Sequence, residues 1–251
     1  PYTTLFRSLF FPLATPNVAL RNRGNTPVIV DGEDVGRPPR HDMASANQDS
    51  AGFAMTTLHE AVQDFGGFVT GLLEVVSFLE ESAVPYMVIG GFANLVWGVP
   101  RTTMDVDITV RVAEQDLPEF LKEIGKKFSI LPDNFLVFVK ETRVLPVQTS
   151  TGIRVDLILA GLPYEESALA RAREVTIQGH PVRICSPEDL VIHKIISTRP
   201  RDLEDVEGIF RQQGSKLDFV YMDPIVHELA EALGRSDLTE FYEALKKSVR
   251  L

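Results

Sequence analysis

Apolar residues recur at helical spacing between Leu58 and Glu81, at Val62, Phe65, Val69, Leu72, Leu73, Val76 and Leu79, and predict an amphipathic helix. Gly66-Gly67 is the point where that helix can bend or break. Pro85 then favours an extended entry. Tyr86 to Ile89 reads as a short buried strand that ends in Gly90-Gly91, and Phe92 to Trp97 as a helix stopped by Gly98 and Pro100. A second strand is expected over Met104–Val112, and an amphipathic helix over Glu114–Phe128 with Pro118 in its first turn. Three further runs, Phe135–Lys140, Val144–Thr149 and Ile153–Leu159, predict consecutive antiparallel strands. Val175 to Ile184 predicts a hairpin turning near Gly179. From Pro187 the pattern is helical, with Ser186 as N-cap and helices over 187–198, 201–213, 222–233 and 237–249. The fold class expected is α+β: a mixed β-sheet with helices on one side, then a C-terminal helical segment.

Composition narrows this picture. The chain has 251 residues, 44% of them hydrophobic, enough for a substantial core. Residues 1–54 have a different texture: they hold no lysine and show neither helical nor strand periodicity. Pro1 to Ser8 resembles the in-frame translation of a sequencing adapter, so 1–54 is expected to be a non-native or disordered leader and Met55 the start. A core over 55–185 and a helical segment over 186–251 that completes the active site would follow. A single cysteine, Cys185, rules out an internal disulfide framework and suits a reducing cytoplasm. No apolar run is long enough to span a bilayer. A net charge of -10 argues against a broadly basic nucleic-acid surface. The lysine groups Lys122/Lys126/Lys127 and Lys246/Lys247/Arg250 read as solvated helix faces.

Candidate chemistry concentrates around three aspartates. Asp105 and Asp107 are two apart, so on a strand both side chains share one face while Val106, Ile108 and Val110 take the other. Asp156, between Val155 and Leu157, is arranged the same way on a strand expected to be its neighbour. Three carboxylates so placed repel one another unless a cation neutralises them, which implies bound Mg²⁺, one ion for each end of a phosphoryl displacement. Gly90-Gly91 lets backbone amides come close to a phosphate, and the following helix start adds positive partial charge. The sequence contains neither a Gly-x-x-x-x-Gly-Lys-Ser/Thr phosphate loop nor a His-Glu-x-x-His zinc motif. The chemistry indicated is attack of a hydroxyl on the α-phosphorus of a nucleoside triphosphate, with loss of pyrophosphate.

Gly90-Gly91, Arg101-x-Thr103-x-Asp105-x-Asp107 and Val155-Asp156-Leu157 together resemble the DNA-polymerase-β-type nucleotidyltransferase superfamily. Pro187 to Lys194, followed by Arg199-Pro-Arg-Asp202-Leu-Glu-Asp205, resembles its AbiEii-like (type IV toxin) members. The resemblance implies a nucleotidyltransferase-type sheet, an NTP donor with ATP among the candidates, and a setting in toxin–antitoxin or phage defence with a cognate antitoxin or toxin as partner. It also implies that Lys194 contacts nucleotide phosphates, that Asp202 or Asp205 orients the site or the acceptor, and that Arg101 and Thr103 sit beside the glycine turn. The acceptor stays open between tRNA, a protein side chain and a small molecule such as an antibiotic. The alternative is a catalytically silent binding protein of the same fold, acting as an antitoxin or nucleotide sensor. His193, Trp97 and Cys185 read as structural residues, and Asp64, Asp116 and Asp133 as surface or cap residues.

Overall fold

The computed structural model describes residues 66–249, apart from 104, 132 and 198. The expected leader, and residues 58–65 of the first predicted helix, lie outside the described residues. Helix α1 runs over Gly66–Glu81 and buries Phe68, Val69, Leu72, Val75, Val76 and Leu79, the spacing of one helical face. Strand β1 (Tyr86–Ile89) is buried along its whole length, and helix α2 (Gly90–Trp97) begins immediately after it. That helix takes in both glycines, two residues earlier than its apolar pattern suggested. Strand β2 (Val106–Val110) leads to helix α3 (Leu117–Lys127) and the two-residue strand β3 (Ser129–Ile130). Helix α4 (Phe135–Thr142) precedes strands β4 (Val144–Gln148) and β5 (Arg154–Leu159).

Next come helix α5 (Pro163–Arg171) and the hairpin of β6 (Arg173–Ile177) and β7 (His180–Ile184), which turns through Gln178 and Gly179. The helical half follows: α6 (Pro187–Ile195), α7 (Pro200–Gln213), a 3₁₀ turn at Gly214–Lys216, α8 (Phe219–Leu233) and α9 (Ser236–Ser248). Ser186 caps α6 as expected, accepting the Asp189 amide at 3.1 Å.

The described strands form one mixed sheet in the order β3-β4-β5-β2-β1-β7-β6. The pairs β2/β5 and β1/β7 are parallel, and the other neighbours are antiparallel. This is an α+β chain with the mixed sheet its sequence predicts. The helical half is fastened to the sheet through α2: Trp97 Nε1 donates to the Cys185 carbonyl at 2.8 Å, and Gln213 Nε2 donates to the Trp97 carbonyl at 2.9 Å.

Two expectations need correction. Phe135–Lys140 is not a strand but the core of α4. Its inward residues, Phe135, Phe138 and Val139, fall at i, i+3 and i+4, and the edge beside β4 is already occupied by β3. Arg143, at φ 59°, turns the chain back into β4 and donates its amide to the Val139 carbonyl. Lys246 is not on a solvated face: it is buried, and its ammonium ties α9 to Asp223 of α8 at 2.8 and 2.7 Å. Helix α5 has no counterpart among the expected elements. Its start is fixed by Pro163 and by Glu165, which accepts the Gly161 and Leu162 amides at 2.6 and 2.7 Å. Lys122, Lys126 and Lys127 do lie on exposed helix surface, paired with Glu119, Glu123 and Glu81.

Candidate active site

Strand β1 delivers the chain to Gly90 directly beside Asp107, because Ile89 and Asp107 are partners in the antiparallel β1/β2 pair. On the other side of β2, parallel pairing sets Asp107 opposite Asp156. The two carboxylates therefore share one sheet face, while Val106, Ile108, Val155 and Leu157 point into the core. Asp105 stands one residue before β2 begins and is exposed at the mouth of the same cavity. The cavity measures about 370 Å³ and is lined by the two glycines, Asp105, Asp107, residues 101–103, Lys194, Arg199, Arg201 and Asp202.

The double glycine is required by its neighbours. Gly90 has φ +65°, and a Cβ there would stand 2.0 Å from Asp107 Oδ2. One at Gly91 would stand 2.3 Å from Thr103 Oγ1. The pair thus gives room to the carboxylate and hydroxyl that face it. Burial, then the charges of Asp156 and Asp105, push the Asp107 carboxyl up to about 6.

The opposite wall comes mainly from the helical half, joined by Arg101 from the segment before β2. Arg101 makes a two-pronged contact with Asp205, Nε to Oδ1 and Nη2 to Oδ2, both at 2.7 Å. Lys194, with its side chain 6% exposed, donates to the same Asp205 at 2.7 Å and to Asp202 at 3.0 Å. Ser197 Oγ holds the other oxygen of Asp202 at 2.7 Å. Burial works to raise the pKa of Asp205, but hydrogen bonds from Arg101 and Lys194 outweigh it and hold the carboxyl below its ordinary range. Asp105 and Asp107 thus face Lys194, Arg199, Arg201 and Asp202 of the helical half across a single cavity.

A family model described as nucleotidyl transferase of unknown function (DUF2204) matches residues 68–246. The chain belongs to this family. No match is found among curated proteins. Among solved structures, this nucleotidyl transferase is similar to an antigenic nucleotidyltransferase-like protein from Paracoccidioides brasiliensis, at 19% identity and TM-score 0.42, over 71% of this chain and 92% of that one. The antibiotic-resistance factor ANT(2'')-Ia is also similar, at 17% identity and TM-score 0.42, over 72% and 95%. An apo CCA-adding enzyme matches at 19% identity and TM-score 0.32, over 80% and 45%.

Whether this chain can hold Mg²⁺ depends on the donors in the cavity. Asp105 and Asp107 are hard oxygen donors, and Asp107 lacks a cationic hydrogen-bond partner of its own among the described residues. Asp156 differs: Arg154 grips it from the same strand, Nε to Oδ1 at 2.8 Å and Nη2 to Oδ2 at 3.1 Å. Among the described residues, no three His, Cys, Asp or Glu side chains form a group that could hold an ion by themselves. Mg²⁺ commonly binds through one or two carboxylates plus substrate phosphates, and Asp105 with Asp107 fits that requirement. Asp156, gripped by Arg154, is not among the residues that line the cavity.

Other expected roles resolve as follows. Thr103 faces Gly91, and Arg101 reaches the same cavity. His193 is buried against Tyr164, and burial followed by the Lys194 charge lowers its pKa to about 4. Cys185 is fully buried, and that burial pushes its thiol well above the ordinary range. The sequence reading gives no site role to Arg154, Arg199 or Arg201. The signal for Arg154 was its i, i+2 spacing to Asp156 on a strand, which puts both on one face. No helix among the described residues is long and apolar enough to cross a membrane.

Proposed function

We propose that this chain is a Mg²⁺-dependent nucleotidyltransferase that moves an NMP from an NTP to an acceptor hydroxyl. The reading is carried by one observation: Asp107 and Asp156 are register partners on parallel strands directly beside Gly90, with Asp105 at the cavity mouth. In this reading Asp105 and Asp107 hold the metal that accompanies the triphosphate, and Asp156 contributes to the second. Bound Mg²⁺ would neutralise phosphate charge and acidify the attacking hydroxyl. The chain's own residues do the positioning. Gly90 and Gly91 let the triphosphate approach the backbone, and Thr103 and Arg101 line its path. Lys194 and Asp202 complete the wall opposite the carboxylates. The acceptor oxygen forms a bond to the α-phosphorus as the bond to the β-phosphate oxygen breaks, so pyrophosphate leaves and the hydroxyl proton passes to solvent. ATP is a candidate donor, and the acceptor a tRNA end, a protein side chain or a small molecule. The resemblance to AbiEii-like proteins favours a cytoplasmic toxin–antitoxin or phage-defence role.

Incubation with α-³²P-labelled NTPs tests this. Wild type should transfer label to an acceptor fraction and release pyrophosphate, and Asp107→Asn should lower transfer by at least a thousandfold. Transfer that persists in Asp107→Asn and Asp105→Asn would remove the assignment. A second reading, a silent nucleotide-binding protein, is favoured by the Arg154–Asp156 pair, which keeps one carboxylate occupied. It predicts NTP-dependent thermal stabilisation without pyrophosphate release.

A further inference from the structure

Four cations line the cavity, and they are not equivalent. Arg101 and Lys194 are matched by Asp205 and Asp202, at 2.7 to 3.0 Å, so that group of four carries no net charge. Arg199 has no ion pair among the described residues. Among the described residues Arg201 has only a neutral partner, donating from Nη2 to the Thr102 carbonyl at 2.9 Å, so its charge is also uncompensated there. Both arginines are exposed to solvent on the wall facing Asp105 and Asp107.

Taking Lys194 to a ligand would strip the buried Asp205 and the half-buried Asp202 of their shared cation, a costly change. The two arginines have no such obligation, and a guanidinium fork suits phosphate oxygens. We propose that Arg199 and Arg201 grip the β- and γ-phosphates of the donor, the part that leaves as pyrophosphate, and that Lys194 is a positioning residue holding Asp205 against Arg101. This rests on the nucleotidyl-transfer reading and assigns the leaving-group subsite within it.

Calorimetric titration with inorganic pyrophosphate in Mg²⁺ tests the assignment without chemistry. Arg199→Ala and Arg201→Ala should each weaken binding about tenfold, the size of a charge-assisted contact at an accessible site, with an unchanged thermal midpoint. Arg199→Lys should retain part of the affinity. Lys194→Met should weaken binding and lower the thermal midpoint. The charge-balanced double variant Lys194→Met/Asp202→Asn should recover most of the affinity, because it removes the unmatched negative charge that loss of Lys194 alone leaves in the cavity. Affinity that stays lost in the double variant would make Lys194 a phosphate ligand and overturn the proposal. Wild-type affinity in both arginine variants would overturn it as well, while leaving the transferase reading standing. If wild type binds neither pyrophosphate nor any NTP in Mg²⁺, both fall together.

Discussion

At the scale of single residues, the site depends on Gly90. Its positive φ is strained for any L side chain, and its missing Cβ is what lets Asp107 lie against the turn. Gly90→Ala should therefore cost about 2 kcal/mol of stability, from backbone strain and a forced carboxylate shift together, read by urea denaturation. The same substitution should lower nucleotide transfer far more than that loss explains, because the displaced group is Asp107. The sequence displayed this relation only in part. Gly-Gly after a strand and Asp-x-Asp at period 2 are local patterns, and both are visible in a linear reading. That the glycine answers to the aspartate is a contact across strands, set by the β1/β2 register, and nothing within either segment encodes it. Arg199 and Arg201 were visible as charges. Their direction depends on the turn between α6 and α7, which periodicity does not describe.

Among the elements, β5 carries the clearest test. Arg154 and Asp156 form a two-pronged ion pair on the exposed face of the strand. Arg154→Ala should free Asp156 and raise the affinity for Mn²⁺ about tenfold, measured by paramagnetic resonance in the absence of nucleotide. Loss of Mn²⁺ binding in that variant would mean the arginine supports the site instead. Helix α4 shows where element reading failed. Phe135 to Val139 is β-branched and aromatic, so local preference favours a strand. The outcome was decided by occupancy of the sheet edge by β3, a two-residue strand too short to register as a pattern. Where an element had both a periodic face and its own punctuation, as α6 does with Ser186 and Pro187, sequence and structure agree closely.

For the molecule as a whole, the helical half is a structural necessity for the cavity, because Lys194, Arg199, Arg201 and Asp202 all lie beyond residue 186. The buried contact between these halves includes His193, and this sets an acid limit on stability. Its pKa falls from 6.5 in the unfolded chain to about 4 when folded. The unfolded state therefore binds more protons between those values. The contribution is complete above pH 6.5 and is lost as pH falls towards 4, reaching about 3 kcal/mol. Unfolding free energies of wild type and His193→Gln, measured from pH 7 to 4, should converge or cross as the pH drops. A constant difference would show that the imidazole takes up its proton equally in the folded and unfolded chain.

The pairing of β2 with β5 has one more effect. Parallel strands far apart in sequence must find their alignment without a hairpin to guide them, and a slip of one position inverts every side chain. Here such a slip would drive a carboxylate into the interior of the sheet, where an unpaired charge is intolerable. The acids thus act as proofreaders during folding: a misaligned sheet is rejected by the very groups that make the aligned one reactive.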